Sequence, residues 1–371
     1  MDIELNEEQR LLKDSVQKML ADQYGFDQRR RIVASEEGWS RSHWRAFADL
    51  GLQGVPIPPE MGGLGGGPVE TMIVMEEFGR HLVVEPFLET VIVCATLLRR
   101  AGNAAQQQKW LPAIASGEAV WALAWMEPAS RYALGDCSTT IRREGDTYEL
   151  RGTKSAVTAA PWADYFIVSA RNPDDNQIEL FVVARDAPGV TFKSYSTVDG
   201  RRAADVQFDR TPLTNDDRLG QEDAVAALQA CRDTAVGALC AESLGLMSEL
   251  NNATLSYAKS RKQFGVPLGS FQALQHRMVD MFVALEESRS LTQYLHTLLV
   301  DDDAIASKIA SAAKSKVGEM AKFVGEQSIQ LHGGMGMSDE LDVGHYFKRI
   351  MAINIQFGDP TFHLLRFAGH S

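Results

Sequence analysis

Val120-Trp121-Ala122-Leu123-Ala124-Trp125-Met126 is where the apolar pattern of this 371-residue chain stops repeating at helical spacing. Before it, Glu7 to Asp22 carries apolar residues at three-and-four intervals, as an amphipathic helix requires. Ser40-Arg41-Ser42-His43-Trp44 opens another helix, with Ser40 as its cap. After it come short β-type runs at Thr147 to Leu150, Tyr165 to Ala170, Glu179 to Ala184 and Ala204 to Phe208, separated by Gly, Asp, Asn and Pro turns. A small antiparallel β domain or barrel follows from that spacing. Beyond Leu219 the helical period returns in three long stretches, Ala224 to Lys259, Phe271 to Asp301 and Ile305 to Leu331, which pack most readily as an antiparallel bundle.

Between the early helices, residues 56–67 (PIPPEMGGLGGG) are too rich in Pro and Gly for regular structure and form either a connector or a substrate-lining loop. Composition is that of a soluble globular chain, 45% hydrophobic and 23% charged, with no apolar run of bilayer length. The length allows two or three domains. A net charge of −12 excludes nucleic acid as partner, since phosphate neutralisation needs clustered Lys and Arg. The acidic start, residues 1–9, reads directly into a helix and carries no secretory or basic transit signal, so a cytoplasmic location is expected. Cys94, Cys137, Cys231 and Cys240 form no CxxC pair and no metal-spaced cluster; buried thiols are expected.

The residues with chemical content lie late in the chain. Arg261-Lys262-Gln263-Phe264-Gly265 and Gln330-Leu331-His332-Gly333-Gly334 offer a guanidinium, amide side chains and closely approachable backbone at helix ends, a donor set suited to a diphosphate. Taken singly, Arg261 is equally an ion pair at a helix end, and the Gly pair a helix C-cap.

Together with the helix–β–helix order, these runs resemble the acyl-CoA dehydrogenase family over essentially the whole chain. Met126-Glu127-Pro128 stands where the family usually has Thr-Glu-Pro, and Leu150-Arg151-Gly152-Thr153-Lys154 matches its Leu-x-Gly-x-Lys. The resemblance implies an α+β fold: an N-terminal helical domain at 1–118, a middle β-barrel domain at 119–218 and a C-terminal four-helix bundle at 219–371. It also implies FAD as cofactor, an acyl-CoA thioester as substrate and electron-transfer flavoprotein as electron acceptor. Arg261, Gln263, Phe264, Gln272, Gln330, His332, Gly333 and Gly334 then become the FAD clamp, with His332 either touching FAD or packing, and Thr158 a contact of the flavin ring.

Against that pattern the chain departs at the chemistry. The resemblance puts the catalytic Glu immediately before Gly358, where this chain has Phe357; a second position used by some members holds Ala235. Asp359 and Asp233 stand two residues from these places, a shift that turns a helical side chain by about 200° away from the same target. Each is either a displaced base or, more simply, a cap or solvated residue, and Asp359 directly before Pro360 suits the start of a helix. The family's Trp-Ile-Thr at the flavin ring reads Ala156-Val157-Thr158 here, Met126 replaces a hydrogen-bonding Thr, and Ser130-Arg131-Tyr132-Ala133 replaces part of a Gly-Ser-Asp loop.

A chain with the clamp but without the base resembles the small subunits of heteromeric bacterial members, such as the pimeloyl-CoA dehydrogenases, whose actinobacterial relatives act on steroid side-chain thioesters. The resemblance implies an α2β2 heterotetramer with a homologous catalytic subunit. A homomeric enzyme with a displaced base, and a non-enzymatic acyl-CoA-binding scaffold, are the alternatives. His276 and His345 read as packed or solvated, and Asp301-Asp302-Asp303 as a turn and N-cap between helices.

Overall fold

The computed structural model describes residues 5–145, 147–301 and 305–369. In chain order the elements are helices α1 (Glu7–Gln23), α2 (Phe26–Ala34), α3 (Arg41–Asp49) and α4 (Pro68–His81), a π-helical stretch Leu88–Cys94, and helices α5 (Ala95–Ala101) and α6 (Ala104–Ala115). Strands β1 (Trp121–Ala124), β2 (Thr140–Glu144), β3 (Thr147–Thr158), β4 (Tyr165–Arg171), β5 (Ile178–Ala184), β6 (Val190–Ser196), β7 (Arg202–Thr214) and β8 (Arg218–Leu219) follow. Helix α7 (Ala224–Ser260), the short strands β9 (Lys262–Gln263) and β10 (Val266–Pro267), and helices α8 (Gln272–Val300), α9 (Ala306–His332), α10 (Asp342–Ile353) and α11 (Pro360–Phe367) complete the chain. The sequence signals thus fall as an N-terminal helical part, a β part and a C-terminal helical part.

The chain forms two compact units. One comprises the chain up to Arg31, Pro68–Val83 and the residues from Val236 onward; the other comprises Ile32–Gly67 and Val84–Ala235. In the first, α8 and α9 pack side by side, α10 and α11 lie against α9, and α4 lies against α1 and α8. Helices α4 and α7 approach to backbone contact. A Cβ on Gly79 would sit 2.1 Å from the Glu242 carbonyl oxygen, and one on Gly245 2.0 Å from that of Glu76. Charges line this crossing in pairs: Arg80 meets Glu76 and Glu249 at 3.0 Å each, Arg289 meets Glu76 at 2.9 Å, and buried Arg349 grips Glu242 through two bonds of 2.6 and 2.7 Å. Two parallel N–H···O bonds fix the fork geometry that makes Arg suited to a buried pair.

The second unit is built on one eight-stranded sheet, in the order β6-β7-β3-β2-β4-β5-β8 with β1 on β4. Its core is Leu150, Val157, Phe166, Val168, Phe181, Val206 and Phe208 with their neighbours. The antiparallel expectation needs one correction: β1 runs parallel to β4, and β2 meets β4 in parallel at the single pair Thr140–Arg171. A parallel pair needs a long connection, and the 125–164 segment, which contains the β2–β3 hairpin, supplies it. Residues 56–67 are compact, not loose. Leu64, Gly65 and Gly66 donate their amides to the carbonyls of Gly54, Ile57 and Val55 at 2.7–2.8 Å. A Cβ on Gly63 would lie 2.0 Å from the Ile57 carbonyl oxygen.

All four cysteines are buried free thiols. Asp301 caps the end of α8, while Asp302 and Asp303 of the acidic run, like Met1 to Glu4 at the start, lie outside the described residues. Among the described residues no helix is long and apolar enough to cross a membrane.

Candidate functional site

The two late runs are brought together by the ends of α7 and α9. Tyr257, on the last turn of α7, stacks its ring on His332 at 4.4 Å, and the Thr254 and Ser328 hydroxyls share a 2.7 Å hydrogen bond one turn earlier. Past Ser260 the chain turns back through β9 and β10, joined by the two-residue loop Phe264-Gly265 with φ of +54° and +85°. Positive φ at both positions is the geometry of a type I′ hairpin. The Phe264 ring stands 92% exposed, edge-on to Phe271 at 6.3 Å, and Gln272 begins α8. On the other side α9 ends where Gly333 takes φ +60°, and a Cβ on Gly333 or Gly334 would meet nothing within 4 Å.

Arg261, Gln263, Gln272 and Gln330 are exposed and make no side-chain hydrogen bond among the described residues. Their donors are uncommitted, and with the open Gly333-Gly334 backbone they fit a diphosphate and its adjoining sugar. His332 differs from them. It is buried, its Nδ1 2.8 Å from the Ser328 carbonyl and its face on Tyr257, so it packs the bundle and does not join the exposed set.

The turn carrying Phe357 lies in the same unit. The carbonyl of Ile353, at the end of α10, accepts a 2.6 Å bond from Nζ of Lys314, a fully buried amine on α9. Burial pulls the Lys314 pKa down to about 8, against the smaller opposing pull of Cys240 and Asp359. Asn354 donates to the Gly318 carbonyl at 3.0 Å. Phe357 is half-buried with φ +57°, and its carbonyl faces His363 Nε2 at 3.1 Å. A bulky residue in the left-handed region is costly and persists only where its surroundings hold it. Asp359 is the N-cap of α11, its carboxylate accepting the Phe362 N–H at 2.8 Å, with Pro360 at the first helical position. Ala235 is fully buried on α7 and Asp233 is 5% exposed.

Thr158 lies in the other unit, half-buried at the end of β3 opposite Ala203. Beside it the strand bulges between Lys154 and Val157, and Ala156 takes φ +51° with its N–H given to Asp205 Oδ1 at 3.1 Å. Ser155 donates to the Met126 carbonyl at 2.8 Å. The Ala156 and Ser155 N–H groups and the Met126 carbonyl are therefore spent within the chain, and the Met126 side chain has no donor to offer. The side chains at 126, 156 and 157 offer no hydrogen-bond donor, and the half-buried Thr158 hydroxyl supplies one. Arg131, at φ +44°, lays its guanidinium over Tyr132 at 5.5 Å, which closes the replaced loop on itself.

Sequence reasoning named Glu127 and Lys154 only as markers, and the structure shows what they do. Lys154 Nζ reaches the Glu127 carboxylate at 2.7 Å with both side chains almost wholly buried, and it also contacts Ser169 Oγ at 3.1 Å and the Trp125 carbonyl at 3.3 Å. Glu127 further accepts the backbone N–H groups of Ser138 (2.7 Å) and Thr139 (3.0 Å) and the Ser138 hydroxyl. Burial alone would raise its pKa, but these bonds and the Lys154 charge outweigh it and hold the carboxyl far below the usual range. Gly152, between them in the motif, has φ +150° and lies so close to Thr139 that a Cβ would be 2.6 Å from its Cα. The two motifs are thus the halves of one buried lock between β3 and the 125–139 segment.

Comparison with known proteins agrees with this architecture. Residues 6–118, 122–211 and 229–368 match the N-terminal, middle and C-terminal domains of acyl-CoA dehydrogenase. The chain is 30% identical to human mitochondrial short-chain specific acyl-CoA dehydrogenase over 348 residues, 91% of this chain and 84% of the relative. Among solved structures, the Tcur3481-Tcur3483 steroid ACAD is 31% identical with a TM-score of 0.89, covering 98% of this chain and 97% of that one. The ChsE4-ChsE5 complex from Mycobacterium tuberculosis is 25% identical with a TM-score of 0.89, covering 100% and 98%. The chain belongs to the acyl-CoA dehydrogenase family of FAD-dependent oxidoreductases.

Proposed function

We propose that this chain is the non-catalytic subunit of a heteromeric acyl-CoA dehydrogenase, completing the FAD site of a homologous, Glu-bearing partner in an α2β2 assembly. The observation that carries the reading is the contrast at the two ends of the chemistry. The turn at 357 presents a phenyl group, which cannot accept a proton, while Arg261, Gln263, Gln272 and Gln330 stand exposed with their donors free. Two similar solved structures with paired names, Tcur3481-Tcur3483 and ChsE4-ChsE5, support it.

In this reading Arg261, Gln263 and Gln330 and the Gly333-Gly334 amides hold the FAD diphosphate, Phe264 covers the adenosine side, and the partner supplies the flavin-ring seat and the base. FAD held there would supply a hydride acceptor for the β-hydrogen, the partner's carboxylate would take the α-proton of the thioester, and electron-transfer flavoprotein would be the electron acceptor. Asp359 is occupied in capping α11, which weakens the alternative of a displaced base.

The test is co-expression. Purified alone, the chain should show little flavin absorbance and no acyl-CoA oxidation; with a homologous chain bearing Glu at the equivalent position, both should return, with one FAD per pair. A chain that is yellow and active by itself would overturn the reading. Within the complex, Arg261→Ala should lower flavin content.

A further inference from the structure

Cys137 stands inside the cluster formed by Glu127 and Lys154. Its Sγ lies 3.2 Å from Lys154 Nζ and 3.3 Å from Glu127 Oε1, with the Thr139 and Ser169 carbonyl oxygens at 3.4 and 3.5 Å. Nζ already donates to Glu127 at 2.7 Å and to Ser169 Oγ at 3.1 Å, and sulfur is a weak acceptor, so the thiol strengthens the ion pair little. What it adds is an oxidisable sulfur in contact with an amine. Once oxidised to a sulfenic acid, a thiol condenses with a nitrogen held beside it.

The sulfur is buried but shallow. Cys137 is 4% exposed, while its two chain neighbours, Asp136 and Ser138, are exposed, as are Arg131, Ala133 and Gly135 of the same irregular segment. Cys94, Cys231 and Cys240, by contrast, are 0–1% exposed and lie within helices. Burial pushes the Cys137 thiol up and the Lys154 charge draws it back, so the sulfur behaves as a sheltered thiol, reached by small oxidants.

We propose that Cys137 and Lys154 are a redox modification site, closing a reversible sulfenamide cross-link between Sγ and Nζ with a hydroperoxide as oxidant. The proposal stands on the geometry of this cluster and not on the half-site reading of the subunit. In the first step Sγ attacks one oxygen of hydrogen peroxide and the O–O bond breaks. The departing hydroxide leaves as water with the thiol proton, so sulfur is oxidised by two electrons to the sulfenic acid and the peroxide is reduced. In the second step Nζ attacks Sγ and the S–O bond breaks, the oxygen leaving as water with one Nζ proton. A further Nζ proton passes to the Glu127 carboxylate, 2.7 Å away. Thiol, ammonium, carboxylate and peroxide thus become sulfenamide, carboxylic acid and two waters. The buried pair of opposite charges turns into two neutral groups, and no uncompensated charge is left inside.

The experiment treats the full-length protein, with whatever partner and flavin it retains, with hydrogen peroxide and digests it with trypsin without reduction. The expected product joins residues 132–142 to residues 152–171, uncut after Lys154 because the linked amine is no longer a cation. Its mass should fall short of the two peptides' sum by two hydrogens. Dithiothreitol should release the peptides, and Cys137→Ala should give no joined product. The folded parent protein carries the main measurement, so the test does not depend on how that variant folds. Cys137 recovered as a thiol, a sulfinic acid or a disulfide with no joined peptide would overturn the proposal. So would a joined peptide that persists in Cys137→Ala, or oxidation of Cys94, Cys231 or Cys240 ahead of Cys137.

Discussion

Replacing Lys154 by Met removes the cation from the Glu127 lock while keeping most of its volume. Four contacts of Nζ are lost, to Glu127 at 2.7 Å, Ser169 at 3.1 Å, Cys137 Sγ at 3.2 Å and the Trp125 carbonyl at 3.3 Å, and Glu127 stays buried with Ser138, Thr139 and the weak Cys137 thiol as donors. Removing one partner of a buried ion pair typically costs about 3–5 kcal/mol, because the remaining charge is uncompensated. Against a native stability of about 5–15 kcal/mol, this should be visible as earlier urea unfolding and as lost hydrogen-exchange protection in β3 and β4. The double variant Glu127→Leu with Lys154→Met should recover much of the loss, with a coupling of about 2 kcal/mol or more. There is a pH signature too. The folded pKa of Glu127 lies below its ordinary value near 4.5, so the pair's contribution is complete above that pH and disappears as pH falls through the folded value. Lys154→Met should flatten that acid limb. A single variant within about 1 kcal/mol of the parent, or strictly additive single costs, would refute the reasoning.

Lys314 has the opposite linkage. Its folded pKa of about 8 lies below the ordinary 10.5, so between those values the unfolded chain binds the extra proton and stability should rise with pH, by about 3 kcal/mol across the window. The stability difference between parent and Lys314→Met, followed by urea unfolding from neutral to alkaline pH, should show this rise; a flat difference would mean the amine is not desolvated as described. Gly245→Ala drives a Cβ to within 2.0 Å of the Glu76 carbonyl oxygen and must separate α4 from α7. Thermal unfolding should report a cost of about 3 kcal/mol or more, whereas Gly135→Ala, where a Cβ meets nothing within 4 Å, serves as a near-neutral control.

What the sequence made legible, and what it hid, follows from where each signal comes from. The long helices were readable to within a residue or so because burial of one face imposes a period: Phe271 to Asp301 became Gln272–Val300, and Ile305 to Leu331 became Ala306–His332. Strand β6 was missed because it is largely exposed and its TFKSYS run has no buried face to impose alternation; β2 has a single strongly apolar residue, Ile141. The π-helix left no trace, since its extra residue is invisible in a buried stretch, LETVIVC, where only Glu89 and Thr90 interrupt the apolar run. Residues that act in pairs across the chain were visible only as isolated letters. Glu127 and Lys154 looked like markers until the fold set them 2.7 Å apart, and His332, open in the sequence between touching FAD and packing, is stacked on Tyr257. Position 357 carries the same lesson in reverse. Its phenyl side chain differs from the Glu that the family resemblance assigns there, while Lys314, Asn354 and His363 fasten the turn and the backbone holds the costly left-handed conformation. An aromatic group fixed at that place is consistent with the proposed subunit, which closes a partner's site without reacting in its own.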